Sequence, residues 1–142
     1  MANKIEVTIE IIIHATEDIS KFFNIFEEMF GLKKEEFSLQ NLSGHFDNPI
    51  TLLNTKITKK SANNFVNTLV SKISPEQIEH IIENIEERLE NSKLHLRLDK
   101  EEFVNGKLII QEKNSVKLKI YTPIYRKTET VETYTNLLKS SN

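Results

Sequence analysis

The sequence contains no cysteine. Disulfides, thiolate metal sites and cysteine nucleophiles are thereby excluded. No apolar run approaches the ~20 residues of a membrane span, so no membrane partner is expected. Met1-Ala2-Asn3-Lys4 passes directly into a strand-like segment with no signal peptide between them, and a cytoplasmic address is the expectation. A large excess of positive charge is also missing: 19 Lys/Arg stand against 21 Asp/Glu. The chain is therefore not a globally basic nucleic-acid binder. Gly-rich phosphate loops, HExxH helices, nucleophile elbows and triad spacings are absent. His14, His45, His80 and His95 show no metal-ligand spacing, and nothing in the sequence asks for a metal or a cofactor.

Glycine and proline are scarce, three of each. One of each falls in Gly44-His45-Phe46-Asp47-Asn48-Pro49-Ile50, between two strand-like segments. Gly44 takes positive φ freely, while Pro49 extends Asn48, so this is a shaped connection.

What is present is ordinary for one globular domain: 142 residues, 38% hydrophobic and 28% charged. Ile5, Val7, Ile9, Ile11 and Ile13 alternate through a first strand. Thr16 offers a cap to a helix bearing Ile19, Phe22, Phe23, Phe26, Met29 and Phe30, which Gly31 ends. Phe37–Leu42 and Ile50–Thr58 read as an antiparallel strand pair. Ser61 begins a second helix. Ser74-Pro75-Glu76-Gln77 carries the signature of a capping box, opening a third helix that runs towards Leu89. Leu94, Leu96 and Leu98 alternate in a further strand, and Asp99 caps a short turn. Lys107–Gln111 and Ser115–Tyr121 read as a hairpin around Glu112-Lys113-Asn114.

The expected fold is α+β: a two-layer sandwich, its mixed or mostly antiparallel sheet carrying helices on one face. Residues 1–125 form one domain. Residues 126–142 read as a C-terminal tail or marginal helix, because β-branched threonines disfavour helix there. An open strand edge offers a template for pairing with a second copy, which makes a homodimer one expectation.

The charge is unevenly spread. Residues 74–92 carry one Lys/Arg against six Asp/Glu, and residues 93–127 carry nine against four. By the pleat, His95, Arg97, Lys117, Lys119 and Tyr121 point away from the helices, where cations can hold phosphate. Pairing of such lysines with Glu6 and Glu10 across strands is the plainer alternative. Lys56, Lys59 and Lys60 lead into the second helix, whose free N–H groups suit an anion; an ordinary charged turn is the more common explanation of such a cluster.

Three stretches occur together: His14-Ala15-Thr16-Glu17-Asp18, Gly44-His45-Phe46-Asp47-Asn48-Pro49-Ile50 and Leu96-Arg97-Leu98-Asp99-Lys100. In this order and spacing the chain resembles the archaeal family of small RNA-binding domains catalogued as candidate exosome subunits, from about Ile5 to about Tyr121. It departs at Asp47, where the family shows Gly, and at Glu101, where it tends to have Gln. The resemblance implies an α+β fold comparable to double-stranded-RNA-binding domains and to the ribosomal protein that contacts 5S RNA. It implies non-catalytic RNA binding, with structured or double-stranded RNA as partner and exosome, RNase P or ribosomal components as associates. On the matching positions it implies Arg97 and Lys100 as phosphate contacts, with His45 and Asn48 holding the loop or touching a base edge. The remaining charge comes from Lys56, Lys59, Lys60, Lys117 and Lys119. The alternative is a protein-interaction module of an RNA-processing assembly, presenting the acidic helix at 76–90 to a basic partner.

Overall fold

The computed structural model describes residues 4–43 and 48–139. His45, in the glycine-proline connection, lies outside them. The strands are β1 (Glu6–His14), β2 (Ser38–Ser43), β3 (Pro49–Thr58), β4 (Leu89–Glu90), β5 (Lys93–Asp99) and β6 (Ser115–Tyr121). They form one antiparallel sheet in the order β2-β3-β1-β6-β5-β4. The helices are α1 (Ile19–Phe30), α2 (Lys59–Lys72), α3 (Pro75–Glu83), α4 (Lys100–Val104) and α5 (Thr130–Lys139). This is the α+β class expected from the sequence.

One face of the sheet is buried beneath helices. Val7, Ile9, Ile11 and Ile13 of β1, Leu53 and Ile57 of β3, Leu94, Leu96 and Leu98 of β5, and Val116, Leu118 and Ile120 of β6 all point into one core. Each such side chain contributes roughly 1.5–3 kcal/mol on burial. Seven phenylalanines on the helix side form a continuous chain of ring contacts. Phe26 sits 4.8 Å from Phe37 and 4.9 Å from Phe103, and Phe30 stacks on Phe65 at 4.2 Å.

Several local expectations change. Asp18, not Thr16, caps α1, accepting from the Ser20 N–H and hydroxyl. Thr16 sits in a turn closed by the Glu17 N–H and the His14 carbonyl, so the helix starts later. Gly31 ends α1 at φ 69°. Ser61 does not cap α2. Strand β3 pairs with β1 out to Thr58, and Lys59 turns the chain with φ 55°, an uncommon value for a non-glycine residue.

The hairpin drawn from Lys107–Gln111 to Ser115–Tyr121 does not form. Strand β6 lies between β1 and β5, and the earlier segment makes only an isolated bridge from Ile110 to Leu98. The reason lies in Gln77. Its side chain does not complete a capping box. Instead Nε2 donates to the Leu108 carbonyl at 3.1 Å and Oε1 accepts from the Ile110 N–H at 2.7 Å. One amide thus takes the place of a strand partner, while the Ser74 hydroxyl still caps α3. Helix α3 also stops early, and β4 turns back into β5 through Asn91 and Ser92, both with φ near +60°.

The C-terminal segment is a packed helix. Tyr134 and Leu138 of α5 are buried. The Tyr134 hydroxyl donates to the Ser92 carbonyl at 2.6 Å and accepts from the Thr122 N–H at 3.2 Å. Burial pushes this hydroxyl's pKa up. The threonines that count against helix bond backward, Thr133 to the Glu129 carbonyl at 2.7 Å. The Tyr134→Phe variant should lose about 1–3 kcal/mol by urea denaturation with an unchanged slope, because it orphans two backbone groups.

Candidate nucleic-acid interface

Pleat parity sends alternate residues of each strand to the face away from the helices. Register then assembles them into rows. One row reads His95–Lys119–Thr8–Lys56 across β5, β6, β1 and β3. The next reads Arg97–Lys117–Glu10–Asn54. Lys93 extends the β5 set by one more step of the alternation and faces Glu90 on β4. Adjacent strands lie about 4.8 Å apart, so Arg97, Lys117, Lys119 and Lys93 form one compact group. Among the described residues of these rows, Lys56, Lys93, Arg97, Lys117 and Lys119 share the face with the carboxylates of Glu6, Glu10 and Glu90.

Pairing within the group is sparse. Lys56 meets Glu6 at 3.2 Å, both side chains well exposed, a contact of small energetic weight. Arg97 is exposed and donates to the Glu112 carbonyl at 3.4 Å. The Glu112 carboxylate turns instead to Arg88, also at 3.4 Å, and among the described residues the Arg97 guanidinium has no ion pair. Two shallow depressions flank Arg97 and Lys117. One, of about 330 Å³, is lined by Lys93, His95, Arg97, Lys117 and Lys119. The other, of about 450 Å³, is lined by Glu10, His14, Arg97, Lys113 and Lys117. Tyr121 closes one end of the face opposite Glu6.

The residues expected at a site therefore separate. Lys56, Arg97, Lys117 and Lys119 share the open face. Lys59 and Lys60 are exposed at the start of α2, off the cross-strand rows, and Asn48 is exposed just ahead of β3. Lys100 is not available to a phosphate. Its side chain is only 7% exposed, and Nζ donates to the Ile12 carbonyl at 2.6 Å and to Glu17 Oε1 at 2.9 Å. Asp99 caps α4, accepting from the Glu102 N–H, and Lys100 lies on the buried side of the alternation that runs through Leu94, Leu96 and Leu98. Lys93 was overlooked in the sequence reading, although it stands two residues before His95 in the same alternation. A hollow of about 720 Å³ lies elsewhere, between the starts of α1 and α4. Glu17, Asp18, Asp99, Glu101 and Glu102 line it, and their charge is wrong for phosphate. Among the described residues no cluster of three or more His, Asp or Glu could hold a metal ion.

Comparison with known proteins gives this surface a context. The model of a family described as RNA binding matches residues 6–122. This chain belongs to that family. An RNA-binding protein of Pyrococcus abyssi is 29% identical over 125 residues, covering 82% of this chain and 81% of the relative. An uncharacterized protein of Methanocaldococcus jannaschii is 25% identical, covering 97% and 99%. The crystal structure of a DUF54 protein from Archaeglobus fulgidus superimposes with a TM-score of 0.80 at 26% identity, over 94% of this chain and 99% of that one. A second, from Sulfolobus solfataricus, gives 0.77 at 25% identity, over 96% and 99%. The relatives are archaeal, as the sequence motifs imply, and the DUF54 structures share the fold.

The internal tie at Lys100 has its own test. Burial raises the Glu17 pKa, but the His14 N–H and Lys100 outweigh it and hold the carboxyl below its ordinary value. A carboxylate depressed on folding contributes stability above its unfolded pKa of about 4.3, and loses it as pH falls through the lower folded value. The Glu17→Gln variant should therefore show a flatter stability profile in that acid window, read by denaturation at stepped pH. The Lys100→Met variant should cost about 2–3 kcal/mol at neutral pH. Arg97→Ala, on the exposed surface, should stay within about 0.5 kcal/mol.

Proposed function

We propose that this protein binds RNA through the open face of its sheet, at β5, β6 and β1, without catalysing a reaction on it. The observation that carries this reading is the pair of adjacent cationic rows, in which, among the described residues, Lys56 alone forms an ion pair. The family description and the Pyrococcus abyssi relative support the choice of RNA as ligand. Contacts of this kind neutralise phosphates and position the nucleic acid.

Structured or double-stranded RNA fits the face better than an unpaired strand. Binding of single strands relies on aromatic platforms. Here the seven described phenylalanines pack on the helix side, and the rows contain only His95 and, at their end, the half-buried Tyr121. A lysine-rich, nearly flat surface instead suits the backbone and 2′-hydroxyls of a helix. An RNA-processing setting, beside exosome, RNase P or ribosomal components, is what the family resemblance supports.

Fluorescence anisotropy with a short RNA duplex and with one of its strands, over a salt series, tests both points. With Lys93, Arg97, Lys117 and Lys119 each neutralising a phosphate, log K should fall with log salt at a slope of about −3, and the duplex should bind more tightly. The Arg97→Ala/Lys117→Ala double variant should roughly halve that slope, while Glu79→Ala should leave it unchanged. No binding of either RNA at low salt would overturn the assignment, and tighter binding of the single strand would overturn the preference.

A further inference from the structure

The two edges of the sheet are treated very differently. At one edge β4 is two residues long, and the Leu108–Ile110 segment runs outside β5, held there by Gln77. At the other edge β2 is six residues long, and every one of them is exposed. Its sequence, Ser38-Leu39-Gln40-Asn41-Leu42-Ser43, has no lysine, no proline and no charge of either sign. These are the devices by which proteins usually blunt a strand edge. Alternate residues of such a strand turn their N–H and C=O groups outward, unpaired by the sheet.

The surface beside this edge is apolar. On the open face Ile12, Leu52 and Gln40 make one cross-strand row, and His14, Ile50 and Leu42 make the next. Ile12 and Leu42 are 36% and 40% exposed, and Leu39, on the other side of the strand, is 52% exposed. The cationic rows begin beyond this band, so one half of the face is basic and the other is nearly uncharged.

We infer that β2 is the interface through which two copies of this chain associate, joined as a continuous twelve-stranded antiparallel sheet. The strand suits itself as a partner. A two-fold axis normal to the sheet sets either Gln40 or Asn41 opposite its own counterpart. The flanking pairs then bring together serine, leucine and amide side chains, with no like charges opposed. Both helix layers stay on one side, and the Ile12–Leu52–Leu42–Ile50 band continues unbroken across the junction. Such a closed, isologous contact is the commonest form of protein association. A partner of strong charge would find nothing on β2 to complement it.

Sedimentation equilibrium of the full chain, from micromolar to near-millimolar concentration, tests the inference. The expected result is a species of twice the 16.5 kDa chain mass. The Gln40→Lys/Asn41→Lys variant places like charges on or beside the axis in either register. It should sediment as a monomer with an unchanged circular dichroism spectrum and melting profile. A control at the opposite edge, Glu90→Lys, should remain a dimer. A wild-type chain that is monomeric throughout, or a folded double variant that stays dimeric, would overturn the proposal.

Discussion

Everything on the open face is placed by the pleat of β1. Val7, Ile9, Ile11 and Ile13 must lie under the helices, and this fixes Glu6, Thr8, Glu10 and Ile12 on the opposite side. Strand β1 sits at the middle of the sheet, with β3 on one side and β6 on the other. Its parity is therefore passed to both neighbours, and through β6 to β5. A slip of one residue would carry Lys117 and Lys119 into the phenylalanine core and bring Leu118 out to water, a reversal the core does not tolerate. The cationic rows thus follow from the hydrophobic pattern of a strand that carries no lysine of its own.

Lys100 shows how the pleat decides what a residue does. Arg97 and Lys100 are three positions apart, so one is exposed and the other is the one buried charged residue among those described. The pleat is the cause: Lys100 falls on the same side of the alternation as Leu94, Leu96 and Leu98, and the Asp99 cap then opens α4. There the ammonium joins the end of β1 to the start of α1, through the Ile12 carbonyl and Glu17. A buried ammonium needs such partners, because an unpaired one would cost several kcal/mol. The motif that runs through Leu96–Lys100 accordingly contains one surface cation and one internal fastener.

The sheet and its open face were largely legible in the alternation of Ile5–His14, Leu94–Asp99 and Ser115–Tyr121, because a period of two fixes sidedness without any knowledge of contacts. Legibility failed where a side chain replaced backbone. Gln77 holds the Leu108–Ile110 segment by a contact across more than thirty residues, which no local pattern announces. For Lys100 the alternation of β5 already gave the inward side, but its partners lie over eighty residues away and no local pattern names them. Helix α5 was underestimated because propensity counts the cost of its threonines and not the burial of Tyr134. Lys93 was missed although the alternation contained it.

The scarcity of indole has a further consequence. The chain has no tryptophan and three tyrosines. Tyr134 is sealed in the core, Tyr125 stands 80% exposed beyond the sheet, and Tyr121 lies half-buried at the end of the cationic rows. Phenolic emission is therefore not masked by a brighter chromophore, and one of its three sources borders the basic surface. The molecule has an optical reporter of that surface built in, readable on the unlabelled chain.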